Sequence, residues 1–528
     1  MNALVRGTLE PAPTPYAVAP ALAQRLGALV AARADAVLRP TVSPMTGSVI
    51  AEVPQSTPAD VSIARCAART AQRAWAARPV AQRAAVMLRL HDLVLARQQT
   101  LLDLVQVESG KARVHAFEEV ADVALVARHY ARSAAAYLAP RRTPGPFPVA
   151  SRTVTTHHPV GVVGMVTPWN YPLTLPIGDA IPALLAGNAV LLRPDPQAAL
   201  TALYGVALLH EAGLPEGLVH VLVGDADVAE AVLDHGDYVC FTGSTKVGRK
   251  VGQRAGRRLV AASLELGGKN SSYVRADADL DRAAEGVVRA CFGSAGQLCM
   301  HTERLLVHVD VVDAFLDRFL PRVRAMRLGT GLAYGVDMGS LVGPRQLERV
   351  RAHLDDAVGK GARVLAGGHA RPDVGPFVHE PTVIDGVTAA MACRDAETFG
   401  PLVALYRVSS DAHAVALAND TEYGLNASIW TRDVAEGRRL AAQILTGTVS
   451  INEGYAAAWG SSGAPLGGRK DSGVGRRHGP EGIRRFTEAQ SVTSQHGLGL
   501  GPPAGMSDEA WNRMMTRALR AMKFLGVR

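Results

Sequence analysis

Five short stretches of this 528-residue chain set reactive side chains among residues small enough to leave them reachable. Phe292-Gly-Ser-Ala-Gly-Gln-Leu-Cys299 is a run of small residues that ends in a cysteine and opens onto the β-branched stretch Leu305-Leu-Val-His-Val309. A thiol at such an element boundary is accessible, and an accessible thiol is a nucleophile. The competing reading is a cysteine packed like an alanine; on spacing alone the two stand level. Cys291, eight residues earlier, sits in a helical Ala-Cys-Phe context and reads as core. Leu264-Glu-Leu-Gly-Gly-Lys269 places a carboxylate between two leucines and beside two glycines. Such a glutamate is partly desolvated, which raises its pKa and suits it to general-base work, the alternative being a surface or capping carboxylate. Phe241-Thr-Gly-Ser-Thr-Lys-Val-Gly248 reads as strand, tight turn and helix. Its glycines let backbone approach a ligand, and the helix start offers free N–H groups and a positive dipole end. This is a dinucleotide-style site without the G-x-G-x-x-G fingerprint, and Gly-Ser-Thr is also an ordinary N-cap. Thr167-Pro-Trp-Asn-Tyr-Pro172 and Glu397-Thr-Phe-Gly-Pro401 complete the set.

The length requires two or three domains. The apolar content of 48% with 20% charged residues is that of an ordinary globular protein. No window approaches the roughly 20 apolar residues of a membrane span. The start of the chain, with Pro11, Pro13 and Pro15, lacks a basic segment followed by an apolar one, so a cytoplasmic location is expected. Five cysteines (Cys66, Cys240, Cys291, Cys299, Cys393) are scattered without C-x-x-C or ligand-spaced His, which speaks against a disulfide framework and against any metal site. The net charge of +8 is spread along the chain without a like-charge block, so nucleic acid is not expected as a partner.

Residues 1–40 read as an N-terminal arm with a helix from about Ala21 to Ala36. Three helical patterns follow, beginning near Pro58, Ala81 and Lys111, with their arginines on a solvated face. From Pro159 strands alternate with helices, which predicts an α/β fold with a parallel sheet: strands at Val160–Val166, Asn188–Arg193, Leu218–Val223 and Tyr238–Thr242. After Cys299 a second α/β region has strands near Leu305, Val364, Leu402 and Thr448. Gly463–Gly475 is too glycine-rich for a regular element and is expected to be a loop. Ser151–Thr156 and Gln490–Gln495 are polar, alternating strands. Residues 507–525 form an amphipathic helix with Trp511, Met514, Met515, Leu519 and Met522 on one face, expected to dock on the body or on a neighbouring subunit.

In order and spacing the motifs resemble those of the aldehyde dehydrogenase superfamily, Glu265 lying 34 residues before Cys299 as is usual there. The likeness covers roughly residues 40–500. Ile181–Gly187 and Gly475–Gly482 look like stretches of the actinobacterial succinate-semialdehyde dehydrogenases. The resemblance implies a Rossmann-type dinucleotide-binding domain (41–147 and 160–267), an α/β catalytic domain (268–476) and a β-strand oligomerisation arm (148–159 and 477–500). Residues 501–528 are left as a C-terminal helical extension. It further implies a homodimer or homotetramer built through that arm, and a small aldehyde as substrate.

By the same resemblance Cys299 attacks the aldehyde, Asn170 and the Cys299 N–H hold the oxyanion, and Glu265 activates the water that cleaves the thioester. Trp169, Asn170, Arg193, Pro194, Asp195, Pro196, Gly243, Ser244 and Leu266 are assigned to the cofactor, with Glu397 and Phe399 near its nicotinamide half. The sequence departs from the family in two places. Arg193-Pro-Asp-Pro196 stands where most members have Lys-Pro-x-Glu, and the missing glutamate tilts the expectation to NADP, with NAD as the alternative, while Asp195 tilts it back. Gly178 and Gly293 stand where succinate-semialdehyde dehydrogenases carry carboxylate-binding arginines. Arg469, Arg476 and Arg477 are the substitutes in reach, with a solvated or structural role as the plainer reading. The alternatives are a dehydrogenase of uncharged aldehydes, an enzyme releasing the acyl group to coenzyme A, and a non-catalytic binding protein. The presence of Glu265 speaks against the second; the retention of Cys299, Glu265 and Asn170 speaks against the third.

Overall fold

The computed structural model describes residues 4–6, 16–144, 151–496, 499 and 501–526. The Pro-rich start, with Pro11, Pro13 and Pro15, lies outside the described residues, as does 148–150 of the expected arm. Two mostly parallel sheets organise the chain. The first has six strands in the order Gly473–Val474, Ala262–Glu265, Tyr238–Thr242, Val162–Thr167, Ala189–Pro194 and Val219–Val221. Every neighbouring pair is parallel except Gly473–Val474 with Ala262–Glu265. Val162–Thr167 is buried at every position, which is why its sequence is unbroken rather than alternating. Helices Pro58–Ala76, Thr174–Leu185 and Ala226–His235 lie on the central strands, and Thr245–Arg257 covers the Tyr238–Thr242 side.

The second sheet has seven strands in the order Arg363–Ala366, Thr382–Asp385, Leu402–Val408, Thr302–His308, Asn270–Val274, Asn426–Trp430 and Thr448–Ile451. Only the Arg363–Ala366 edge runs antiparallel. The polar strands Ser151–Pro159 and Thr487–Gln495 pair antiparallel along nine positions and, with Arg141–Pro144, make a separate three-stranded sheet. No helix of the described residues is long and apolar enough to cross a membrane.

Several local expectations need correction. The first helix is Pro20–Gly27, not 21–36. Beyond it Ala31 N–H donates to the Val221 carbonyl at 2.7 Å and Val30 forms a parallel bridge with Val221, so sheet-edge pairing overrides the helical propensity of the alanines. Four helices, not three, follow: Pro58–Ala76, Val80–Ala96, Gln98–Ser109 and Arg113–Tyr137. Their arginines are not all solvated. Arg83 is buried and donates to the carbonyls of Leu185, Ala76 and Arg78, and buried Arg113 pairs with Asp103 at 2.8 Å. The glycine-rich stretch 463–475 is not wholly loop, since Gly473–Val474 closes the edge of the first sheet. Gly473 has φ 135°, and a Cβ there would lie 1.9 Å from the Leu264 carbonyl oxygen, so only glycine allows that pairing.

The C-terminal helix is Asp508–Phe524. It buries Trp511 and half-buries Met515 and Met522, but Met514 and Leu519 are exposed and Phe524 is 90% exposed.

Candidate active site

Helix Leu280–Phe292 delivers the chain to an unusual turn. Ser294, Ala295 and Gly296 follow one another in the left-handed region, with φ of 52°, 55° and 69°. Each of the two side-chain-bearing residues costs about 1–2 kcal/mol in that conformation, so the surroundings must impose it. Tyr171 and Ser294 share a hydroxyl hydrogen bond of 3.1 Å, and Gln297 Oε1 accepts from Val342 N–H at 2.9 Å. At Gly296 a Cβ would fall 2.2 Å from the Gly400 carbonyl oxygen, so the turn is wedged against the Glu397–Pro401 stretch. The turn presents Cys299 half-buried, whereas Cys291 is fully buried. Burial pushes the Cys299 thiol up to about 12, with Glu397 and Glu265 acting in the same direction, while Arg477 and its own backbone N–H act against them. The resting group is a thiol.

Glu265 is one of the two carboxylates that act on the Cys299 thiol. Glu265 ends the strand Ala262–Glu265, is 8% exposed, and its Oε1 has no hydrogen-bond partner. Burial raises its pKa to about 7 despite Arg477 and Arg485, so it is half ionised near neutral pH. Its carbonyl accepts from Gly243 N–H at 3.0 Å, which ties the carboxylate's strand to the turn before helix Thr245–Arg257.

Asn170 is positioned by residues that the sequence reading passed over. Buried Lys111 donates to the Asn170 carbonyl and to Glu119, each at 2.7 Å. Glu119 in turn accepts from the N–H groups of Leu173 and Thr174 at the start of helix Thr174–Leu185. The Asn170 side chain donates to the Gln297 carbonyl at 3.0 Å, in the turn that leads to Cys299. A second buried pair, Lys269 with Glu303, fixes the opposite wall. Glu303 accepts from Thr398 and Phe399 N–H at 2.9 Å, and Phe399 stands edge-on to Trp169 with ring centroids 5.7 Å apart. Glu397 accepts from Gly268 N–H at 3.0 Å.

These groups meet in one cleft of about 610 Å³. Trp169, Asn170, Asp195, Gly243, Ser244, Glu265, Leu266, Cys299, Glu397 and Phe399, all expected from sequence, line it. Arg193, Pro194 and Pro196 do not. The Arg193 guanidinium donates to the Gly224 carbonyl at 2.6 and 3.0 Å, and Pro196 begins a short 3-10 helix that Asp195 caps through Gln197 N–H. Tyr171, Leu298 and Trp459 were missed from sequence and line both this cleft and a smaller neighbour bounded by Glu118 and Asp122. A signal for the last two existed, since residues 118 and 122 are one helical turn apart on a single face.

The family model described as the aldehyde dehydrogenase family matches residues 31–492. A Mycolicibacterium smegmatis protein named "Putative succinate-semialdehyde dehydrogenase (NADP+)" is 50% identical over 92% of this chain and 94% of its own. The succinate semialdehyde dehydrogenase of Acinetobacter baylyi is 34% identical over 85% and 92%. The crystal structure of PnpE in complex with nicotinamide adenine dinucleotide is 34% identical and superposes with a TM-score of 0.84 over 88% and 96%. With the match spanning both sheets and every motif around the cleft, the chain belongs to the aldehyde dehydrogenase family.

Proposed function

We propose that this member oxidises a small aldehyde to its carboxylic acid, with NADP+ as hydride acceptor and NAD+ as the alternative. The observation that carries the reading is the convergence of Cys299, Asn170 and Glu265 on one cleft. In this scheme Cys299 Sγ adds to the carbonyl carbon as Glu265 takes the thiol proton. The oxyanion that forms is held by the Asn170 amide and the Cys299 N–H, and loss of hydride leaves a thioester on Sγ. Glu265 passes the thiol proton to solvent and then removes a proton from water as it attacks; the C–S bond breaks, and the departing thiolate takes the proton back from Glu265.

A bound nicotinamide dinucleotide supplies the acceptor for the hydride. The residues fit such a group. The first-turn N–H groups of helix Thr245–Arg257 lack intrahelical partners, and its N-cap Ser244 makes no side-chain cap, so they are available to a pyrophosphate beside Gly243. Gly248 lets that helix rest on Leu266, where a Cβ would meet Leu266 Cδ2 at 2.3 Å. NADP+ is supported by the printed name of the Mycolicibacterium relative. Glu265 favours hydrolysis of the thioester over transfer to coenzyme A.

The homo-oligomer proposal is supported by the exposed strand Thr487–Gln495, an edge left for pairing. A cytoplasmic location is supported by the five free cysteines. The test is oxidation of a panel of aldehydes with each cofactor, with and without coenzyme A. Acid formation independent of coenzyme A is expected; strict dependence on it would refute hydrolysis.

A further inference from the structure

The smaller cavity, about 160 Å³, adjoins the cleft across Tyr171, Leu298 and Trp459 and leads away from Gly243 and Ser244. Leu298, the neighbour of Cys299 in the chain, lines both spaces, and neither Gly243 nor Ser244 lines the smaller one. Its charged groups are Glu118 and Asp122, on helix Arg113–Tyr137, and the remaining wall is aromatic or apolar. No lysine, arginine or histidine lines it among the described residues. The candidate cations stand behind its wall, Lys111 Nζ 3.7 Å from the Tyr171 ring centroid and the Arg477 guanidinium 5.1 Å from that of Trp459. Arg477 is 3% exposed, 3.1 Å from Asp179, and does not line the cavity, although its guanidinium lies 3.6 Å from where a side chain at Gly178 would begin. Lys111 is paired with Glu119. Arg476 donates to the carbonyls of Gly468 and Gly475, and Arg469 is exposed on a short strand. Gly293 leaves its space to the Tyr455 hydroxyl, 2.9 Å from a Cβ position.

The two carboxylates are short of donors. Asp122 is 2% exposed and neither oxygen has a hydrogen-bond partner; Thr174 and Trp459 stand close enough to favour its ionisation but outside hydrogen-bond geometry. Glu118 receives only the Tyr455 hydroxyl, 3.2 Å from each oxygen. Burial raises both groups to about 7, with Arg477 opposing at Asp122 and Lys111 at Glu118. A buried carboxylate short of donors is destabilised, and an incoming cation relieves that. An incoming carboxylate meets two like charges and no donor cation.

We infer that Glu118 and Asp122, on the wall of this cavity, select aldehydes carrying a cationic group at the far end, a protonated amine or quaternary ammonium, over those ending in a carboxylate. The inference rests on the proposed attack by Cys299 and names the substrate class of that same site. It is tested on the full-length protein with butanal, 4-trimethylammoniobutanal and succinic semialdehyde. The expected result is a kcat/KM at least tenfold higher for the ammonium aldehyde than for succinic semialdehyde. Glu118→Gln and Asp122→Asn should each lower that ratio fivefold or more, through KM. Succinic semialdehyde used as well or better overturns the selection, while butanal turnover in the same assay leaves the Cys299 chemistry standing. If no aldehyde turns over, or a variant does not fold, calorimetry on the unmutated protein compares butyltrimethylammonium with butanoate. Tighter binding of the ammonium supports the inference, and equal or tighter binding of butanoate overturns it.

Discussion

Replacing Cys299 by alanine removes the attacking sulfur, so aldehyde-dependent formation of reduced cofactor should fall to background, whereas Cys291→Ala, sealed in the core, should leave the rate within a few fold. Glu265→Gln lacks the proton acceptor for both the attack and the hydrolysis, so its burst of reduced cofactor should be slowed and its steady turnover should fall to background. Because the Glu265 pKa is raised to about 7 and its ionised form is the base, kcat/KM should climb as pH rises through about 7 and level off above it. A pH profile of a residually active Glu265→Gln that kept this limb would place the base elsewhere. At the other end of the cleft Asp195, rather than Pro196, is the group on the wall. Asp195→Ala should therefore raise the NADP+ to NAD+ ratio of kcat/KM, and an unchanged ratio would remove Asp195 from cofactor choice. Local surroundings left Cys299 level with a core cysteine; the order and spacing of the motifs, through the family resemblance, singled out Cys299 and Glu265, and the fold brings both to one cleft. Glu118, Glu119 and Asp122 were not legible from sequence, since a carboxylate on an amphipathic helix reads as solvated until the fold covers it.

Elements hold these residues through buried charge pairs rather than through the motifs themselves. Lys111 and Glu119 join helix Arg113–Tyr137 to the Asn170 turn and to the start of helix Thr174–Leu185. Glu119→Gln leaves a buried lysine without its counter-charge, which costs about 3–5 kcal/mol. It should lower Tm in calorimetry and lower kcat as Asn170 loses its support; an unshifted Tm would show the pair to be dispensable. Strands of the first sheet were readable where they are continuous and apolar, as in Tyr238–Thr242. Asn270-Ser-Ser-Tyr-Val274 escaped notice although every position is buried, because its polar side chains are satisfied within the sheet, Ser272 accepting from Ser428 at 2.7 Å and from Trp430 at 2.9 Å. The left-handed turn at Ser294–Gly296 has no sequence signature, since only one of its three residues is glycine.

For the whole molecule, the alternation of strands and helices made the α/β class legible, while the closing of the first sheet by a distant strand was not, as pairing partners more than 200 positions apart leave no periodicity. Static light scattering should report a dimer or tetramer, and a monomer with full activity would contradict assembly through the strand near Val492. The distant closure also orders events during synthesis. Gly473 pairs with Glu265 in register, and buried Asp179 meets both Arg477 and Arg485. At roughly 5–20 residues per second a ribosome takes about 10–40 s to travel from Glu265 to Gly473. Throughout that interval the nascent chain already carries Asn170 and Glu265, and for most of it Cys299. The edge strand beside Glu265 and the arginines that neutralise Asp179 are still unmade. A chain truncated before residue 473 is thus born with its reactive groups but without the strand that seals them, and translation has to pass Gly473 before that edge can close.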